Sequence, residues 1–368
     1  MVELISRRLK YAREKCGLTQ VELSVKLGFK DRQTVAAIEA GQRKLSAEEL
    51  LRSMQVLGVD LDYFTDPFRL VGEGRFSWRT ATDTNASLLD AFEDRAGRWI
   101  ALYRKLGEEK DASPSPLQPR LTLTEKSSYE EAREAAEALG CEWELGEIPA
   151  LTLSERVEEK LGALVLYVAA PKGISGAACL LQGVNVILVN RSDPEGRRHY
   201  DLAHEIFHLL TWEQMPPEHR EGEIPRGGKG KRIEQLADNF ASALLMPERT
   251  LSPRWRARGS TDIHHWLNTT ATDLLVTASA LKWRLVQLEW LGRDGLLEIR
   301  DDRLTANGRP RQPLPLPKLF SHAFAQRLRE ALSKGNLSVR RAASLVEMTI
   351  EDLADLFKAY GLPVPFDL

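Results

Sequence analysis

The first 66 residues are a series of short apolar runs, each closed by a glycine. Leu4, Ile5, Leu9 and Ala12 recur at the spacing of one helix face, and Gly17 ends the run. Thr19 with Glu22 forms a capping box that opens a second helix through Leu23, Val25 and Leu27 to Gly28. A third helix is predicted from about Asp31 to Ala40, stopping at Gly41. Ser46 with Glu49 is a second capping box, and the helix it opens closes at Gly58. Residues 1–66 therefore read as an all-α unit.

The period changes further along. One helix is expected from Ser87 to Leu106, then others at Glu130–Leu139 and Leu153–Leu161. The runs 163–170, 177–182 and 184–190 are apolar and partly β-branched, with glycine-bearing breaks, and predict a small antiparallel sheet. Helical periodicity returns from Glu195 to Leu210 and over 232–248. Proline-rich stretches at 113–119 (SPSPLQP) and 309–317 (RPRQPLPLP) cannot continue a helix and read as spacers. The glycine-rich stretch 222–231 reads as a surface loop. The expectation is a multidomain chain. It has an all-α head (1–66), a helical connector with a proline-rich linker (67–120) and an α+β domain (121–260). An extension (261–308), the second spacer (309–317) and a helical C-terminal region (318–368) follow.

Composition narrows this only in part. The chain has 368 residues, 43% apolar and 28% charged, enough to bury several cores. The formal charge of −2 excludes a uniformly basic nucleic-acid coat protein, but residues 1–44 carry ten basic and five acidic side chains. Cys16, Cys141 and Cys179 lie too far apart for a disulfide framework or a CxxC knuckle, which suits a reducing, cytoplasmic setting. No apolar run is long enough to span a membrane.

The strongest chemical signal is AHEIFHLL at 203–210. His204 and His208, four apart, project from one face of a helix, so both imidazoles can meet one Zn²⁺. Glu205, between them, is placed to act as general base on an attacking water, the HExxH arrangement of zinc peptidases. The helix is otherwise apolar nearly all round, and buried imidazoles and carboxylates need partners. A catalytic zinc takes a third protein ligand. Glu234, in RIEQLADNFASALLMPE (232–248), is the best candidate, and Asp238 one turn on can accept the second N–H of a ligand histidine and fix its tautomer. His199, His219, His264, His265 and Tyr200 remain candidates for oxyanion stabilisation, each with a packing role as the alternative.

AHEIFHLL together with EQLADNFASALLMP resembles the ImmA/IrrE family of zinc metallopeptidases. Glu234, Ala237, Asp238, Phe240, Ala241, Leu244, Leu245, Met246 and Pro247 match the second helix of its signature. The resemblance covers roughly 150–300. It implies a zincin-like fold, Zn²⁺, Glu234 as third ligand and cleavage of a helix-turn-helix repressor as substrate. TASALKWRLVQLEWLG (277–292) looks like a family extension of winged-helix type.

The N-terminal unit resembles the XRE (Cro/phage-repressor) helix-turn-helix. Gln20 would open the first motif helix, Gly28 make the turn, and Asp31–Ala40 be the recognition helix. The stretch from Gly28 to Ile38, Glu39 and Gly41 is one residue longer than the common pattern. Arg32, Gln33 and Thr34 start the recognition helix, where side chains reach base edges of double-stranded DNA. Lys30, Arg43 and Lys44 flank it and suit phosphates. The resemblance implies a homodimer. The combined expectation is a DNA-binding regulator with a fused zinc endopeptidase. The alternative is a non-proteolytic regulator whose peptidase-like domain senses a metal, ligand or partner. A strand at 184–190 is expected to offer its edge to an extended substrate.

Overall fold

The computed structural model describes residues 2–107, 121–181, 183–221, 229–304 and 315–367. The spacer 113–119, most of the loop 222–231 and most of the spacer 309–317 lie outside the described residues. The head comprises α1 (Val2–Lys15), α2 (Gln20–Leu27), α3 (Arg32–Glu39), α4 (Ala47–Leu57) and α5 (Leu61–Thr65). Both predicted capping boxes form, at Thr19/Glu22 and Ser46/Glu49. Asp31 caps α3 by accepting from the Thr34 N–H, which sets the helix to begin at Arg32. Leu9, Leu23, Leu27, Val35, Ile38 and Phe64 make the core of the head. The buried Arg13 guanidinium clamps Glu39 at 2.6 and 3.0 Å, tying α3 to α1.

The segment after the head was expected to be helical and linking. It also supplies a strand, β1 (Arg75–Thr80), before the long α6 (Ala86–Gly107). After α7 (Tyr129–Glu142) and α8 (Leu153–Leu161) come β2 (Leu164–Val168), β3 (Ile174–Leu180) and β4 (Val186–Asn190). The sheet order is β1-β3-β4-β2, with β2 parallel to β4 and the other pairs antiparallel. The sheet is therefore mixed rather than antiparallel. Equally, β4 pairs on both sides and has no free edge for a substrate strand. The edge strand β1 is met by the Trp78 N–H donating to the His219 carbonyl at 2.9 Å, and β2 by a bridge between Tyr167 and Phe320.

The strands β2, β3 and β4 are apolar nearly throughout because both faces are covered. Val165, Ala178, Ile187 and Val189 face one core, and Leu164, Leu166, Ala177 and Leu188 face the other. On the first face lie α9 (Glu195–Thr211), α10 (Lys229–Leu245), α11 (Glu248–Arg256), α12 (Ile263–Asp273) and α13 (Ala278–Gln287), with α14 (Arg293–Glu298) beyond. Among the described residues, 261–304 hold helices and a 3₁₀ turn and no strand. The second face is closed by α6 and the C-terminal α15 (His322–Ser333), α16 (Val339–Val346) and α17 (Ile350–Ala359). Phe320, Phe324, Leu353 and Phe357 are fully buried there, so the C-terminal region is part of the sheet's packing.

Head and core meet at Gly72. Its φ is +66°, and a Cβ there would lie 2.1 Å from the Tyr11 ring, so only glycine lets α1 come this close. Beside it, Glu73 pairs with Arg7 of α1 and Arg104 of α6.

Candidate metal centre

The site is built on α9 and α10. The apolar residues of α9 force it into the core, and Ala203, Ile206 and Phe207 are 0% exposed. His204, Glu205 and His208 are carried in with them, at 1%, 1% and 2% exposure. Ile233, Leu236, Ala237, Phe240 and Ala241 likewise sink α10, and Glu234 on its flank is only 8% exposed. The His204 and His208 Nε2 atoms lie 3.0 Å apart. Glu234 Oε2 is 2.9 Å from the first and 3.5 Å from the second.

A tetrahedral zinc with ligands at about 2.0–2.1 Å holds them about 3.3 Å apart, so the three donor atoms sit at near-ligand spacing. The charge pattern agrees. Burial opposes ionising Glu234, but His208 and His204 hold its carboxyl well below the usual range. Burial and Arg79 oppose a charge on His204, yet hydrogen bonds to Asp238 and Glu234 raise its pKa to about 10. Two nitrogens and an ionised carboxylate oxygen, drawn together and attracting positive charge, fit a divalent cation.

Asp238 holds the outer nitrogen of His204, with Nδ1 3.1 Å from Oδ1. The Tyr200 hydroxyl in turn donates to the Asp238 carbonyl at 3.0 Å. Glu205 has no such partner: its Oε2 is buried without a hydrogen bond among the described residues. Burial pushes its pKa up to about 7, against the pull of His208 and His204. A carboxyl poised there can take and release a proton near neutrality.

Arg79 and Asp201 were absent from the sequence reading. On β1, Phe76 and Trp78 face the second core, so Ser77 and Arg79 point towards α9. Arg79 reaches Asp201 at 3.2 Å, Asp238 at 3.4 Å and Glu221 at 3.7 Å. Burial disfavours its charge, but the three carboxylates outweigh that and raise its pKa. Asp201 precedes His204 by one turn of α9, a spacing visible in the sequence. Nothing in the sequence near Arg79 points to the site, since it arrives through strand pairing.

The other histidines lie elsewhere. His199 Nδ1 meets the Leu275 carbonyl at 2.9 Å, His219 pairs with Glu93 at 2.7 Å, and His264 accepts from the Arg300 N–H at 3.0 Å. His265 lies exposed in the first turn of α12.

In the head, Lys30, Arg32, Gln33 and Lys44 are exposed around the start of α3. Thr34 is partly engaged in the cap with Asp31, and Arg43 pairs with Glu49 at 2.7 Å. The Gln20 amide donates to Glu39 at 2.9 Å, joining the clamp that holds α3.

Comparison with known proteins follows the same division. A helix-turn-helix family model matches residues 9–64, and the model of the IrrE N-terminal-like domain matches residues 158–286, from α8 to α13. No curated protein matches the chain. A solved structure described as "Crystal structure of PrgX/iCF10 complex" is similar at 11% identity over 98% of each chain, with a TM-score of 0.16, too low to bear on the fold. No described helix is long and apolar enough to cross a membrane. The chain joins an XRE-type helix-turn-helix DNA-binding domain to an ImmA/IrrE-like, metallopeptidase-like domain.

Proposed function

We propose that the protein is a DNA-binding regulator whose core hydrolyses a peptide bond in a regulatory protein of the helix-turn-helix repressor type. His204, His208 and Glu234 hold Zn²⁺, Asp238 fixes the His204 tautomer, and Glu205 is the general base. A bound zinc supplies Lewis-acid polarisation of the scissile carbonyl and acidifies the attacking water. The Glu205 carboxylate takes the water's proton and passes it to the leaving amine. Arg79 draws Asp238 and Asp201 together and favours their charged forms, against the burial that raises the Asp201 pKa. The reading is carried by one observation: three donor atoms at ligand spacing beside a buried, unpartnered carboxyl.

Arg32, Gln33 and Thr34 of α3 read base edges in the major groove, and Lys30, Arg43 and Lys44 hold phosphates. Gln20 acts from the α2 N-terminus while bracing Glu39. Two copies bind one operator as a homodimer.

The test incubates zinc-loaded protein with repressor-type helix-turn-helix proteins and with its own chain, wild type beside Glu205→Gln. Cleavage by the wild type alone supports the reading, and equal cleavage by the variant refutes it. A second reading, metal or ligand sensing without cleavage, is favoured by the covered edge of β1. It predicts zinc-dependent DNA affinity with every candidate left intact.

A further inference from the structure

A cavity of about 550 Å³ opens between α9, α10 and α13, within the usual range for small-molecule sites. Gly196, at the start of α9, has the Val276 backbone carbon only 2.4 Å from where a Cβ would stand, so glycine lets the chain entering α13 press against α9. Of the lining residues, Asp238 alone hydrogen-bonds one of the three metal-ligand candidates, His204. The rest of the lining stands outside the metal centre and combines both signs of charge with an apolar wall.

The negative part has unused capacity. Asp201 is 2% exposed, and among the described residues its Oδ2 accepts no hydrogen bond. A buried carboxylate oxygen without a donor is costly. Asp238 is engaged by His204 and Arg79 through Oδ1, while its side chain is 44% exposed and its Oδ2 is left open. The positive part is Arg197, one turn before Asp201 on α9 and 54% exposed. Its Nη2 donates to the Ser175 hydroxyl at 2.9 Å, but its Nε stands 3.7 Å from Asp201 Oδ2, too far for a hydrogen bond. Arg79 is already shared among three carboxylates. The first turn of α13, where Ser279 lines the cavity, adds backbone N–H groups that have no acceptor within the helix and favour negative charge. Further along α13, Ala280, Trp283 and Val286 supply the apolar wall, with Trp283 50% exposed.

We propose that this cavity binds a free α-amino acid with a large apolar or aromatic side chain. The ligand's ammonium takes the open oxygens of Asp201 and Asp238. Its carboxylate takes Arg197 and the first turn of α13, and its side chain lies against Trp283. Arg197 and Asp201 give up only a loose contact, and each gains a closer partner. A simple anion would leave the Asp201 oxygen without a donor, and a simple cation would leave Arg197 without an acceptor. Binding here requires no peptide hydrolysis, so it stands or falls apart from the peptidase reading.

The test is calorimetric titration of the full, zinc-loaded chain with four probes. L-Phenylalanine carries both charges and the ring, 3-phenylpropanoate lacks the ammonium, 2-phenylethylamine lacks the carboxylate, and L-alanine lacks the ring. L-Phenylalanine should bind at least about tenfold more tightly than each of the other three. Arg197→Gln should weaken L-phenylalanine and 3-phenylpropanoate and leave 2-phenylethylamine unchanged. Trp283→Ala should bring L-phenylalanine down to the level of L-alanine. Both variants should keep the zinc content of the wild type, since neither residue touches a metal-ligand candidate. Either single-charge probe binding as tightly as L-phenylalanine would overturn the proposal. So would the absence of L-phenylalanine binding to the wild type, or binding that both substitutions leave unchanged.

Discussion

Two helix pairs, α2–α3 in the head and α9–α10 in the core, treat their polar side chains in opposite ways. Arg32 and Gln33 of α3 lie in water, where an unpaired donor costs little, so their geometry is compatible with DNA but does not demand it. His204, Glu205 and His208 of α9 are withdrawn from water, where each polar atom needs a partner. Exposed chemistry must be read from charge and fold, whereas buried chemistry can be read from what the atoms lack.

The sharpest way to break the comparison is to remove the cation that the buried site does contain. Arg79→Met leaves Asp201, 2% exposed, with only the more distant Arg197 at 3.7 Å as its cation. Denaturant unfolding should show a loss of about 3 kcal/mol, at the lower end for a broken buried pair because Arg197 remains. A loss below about 1 kcal/mol would mean that the ring of carboxylates is solvated after all.

Glu205 gives the next effect. Its folded pKa is raised from 4.5 to about 7, so between those values the folded state keeps a proton that the unfolded state has released. Stability on its account is therefore present below about pH 4.5 and is lost as pH rises towards 7, by about 3 kcal/mol. Chelator-treated wild type and Glu205→Gln, unfolded across that window, should differ by this slope, with the variant the flatter. Parallel curves would show that Glu205 is not held in a desolvated setting.

Asp238→Asn comes third. It keeps the shape but weakens the hold on His204 Nδ1, and zinc affinity should fall about 10- to 100-fold in a competition titration. The head supplies effects of similar or smaller size, on DNA rather than metal. Arg32→Ala should cost about 1–3 kcal/mol of operator affinity and relax one base position, while Lys30→Ala should lower the salt slope of binding by about one. Gln20→Ala should act through α3 placement, because the amide is spent on Glu39. If Gln20→Ala instead changes base preference without changing head stability, the contrast between the two helix pairs weakens.

Much of this was legible in the sequence because it rests on local spacing. His204 and His208 share a helix face whatever surrounds them, and Glu234 and Asp238 do the same on α10. Both capping boxes are likewise contacts between near neighbours. What was not legible rests on distant pairing. β1 joins the sheet through β3, and only that register brings Arg79 against Asp201 and Asp238. The parallel pairing of β2 with β4 has the same origin, since apolar runs look alike in either direction. The C-terminal helices repeat this: Phe324 and Phe357 have the pattern of any amphipathic helix, and only the sheet's second face shows what they cover.

The central claim is that α9 and α10 hold a metal between them, and the metal content of purified protein after equilibrium dialysis against limiting zinc tests it most directly. Wild type and Glu205→Gln should each retain about one zinc per chain, and His204→Ala should retain none. Equal zinc in His204→Ala, or none in the wild type, would contradict the account.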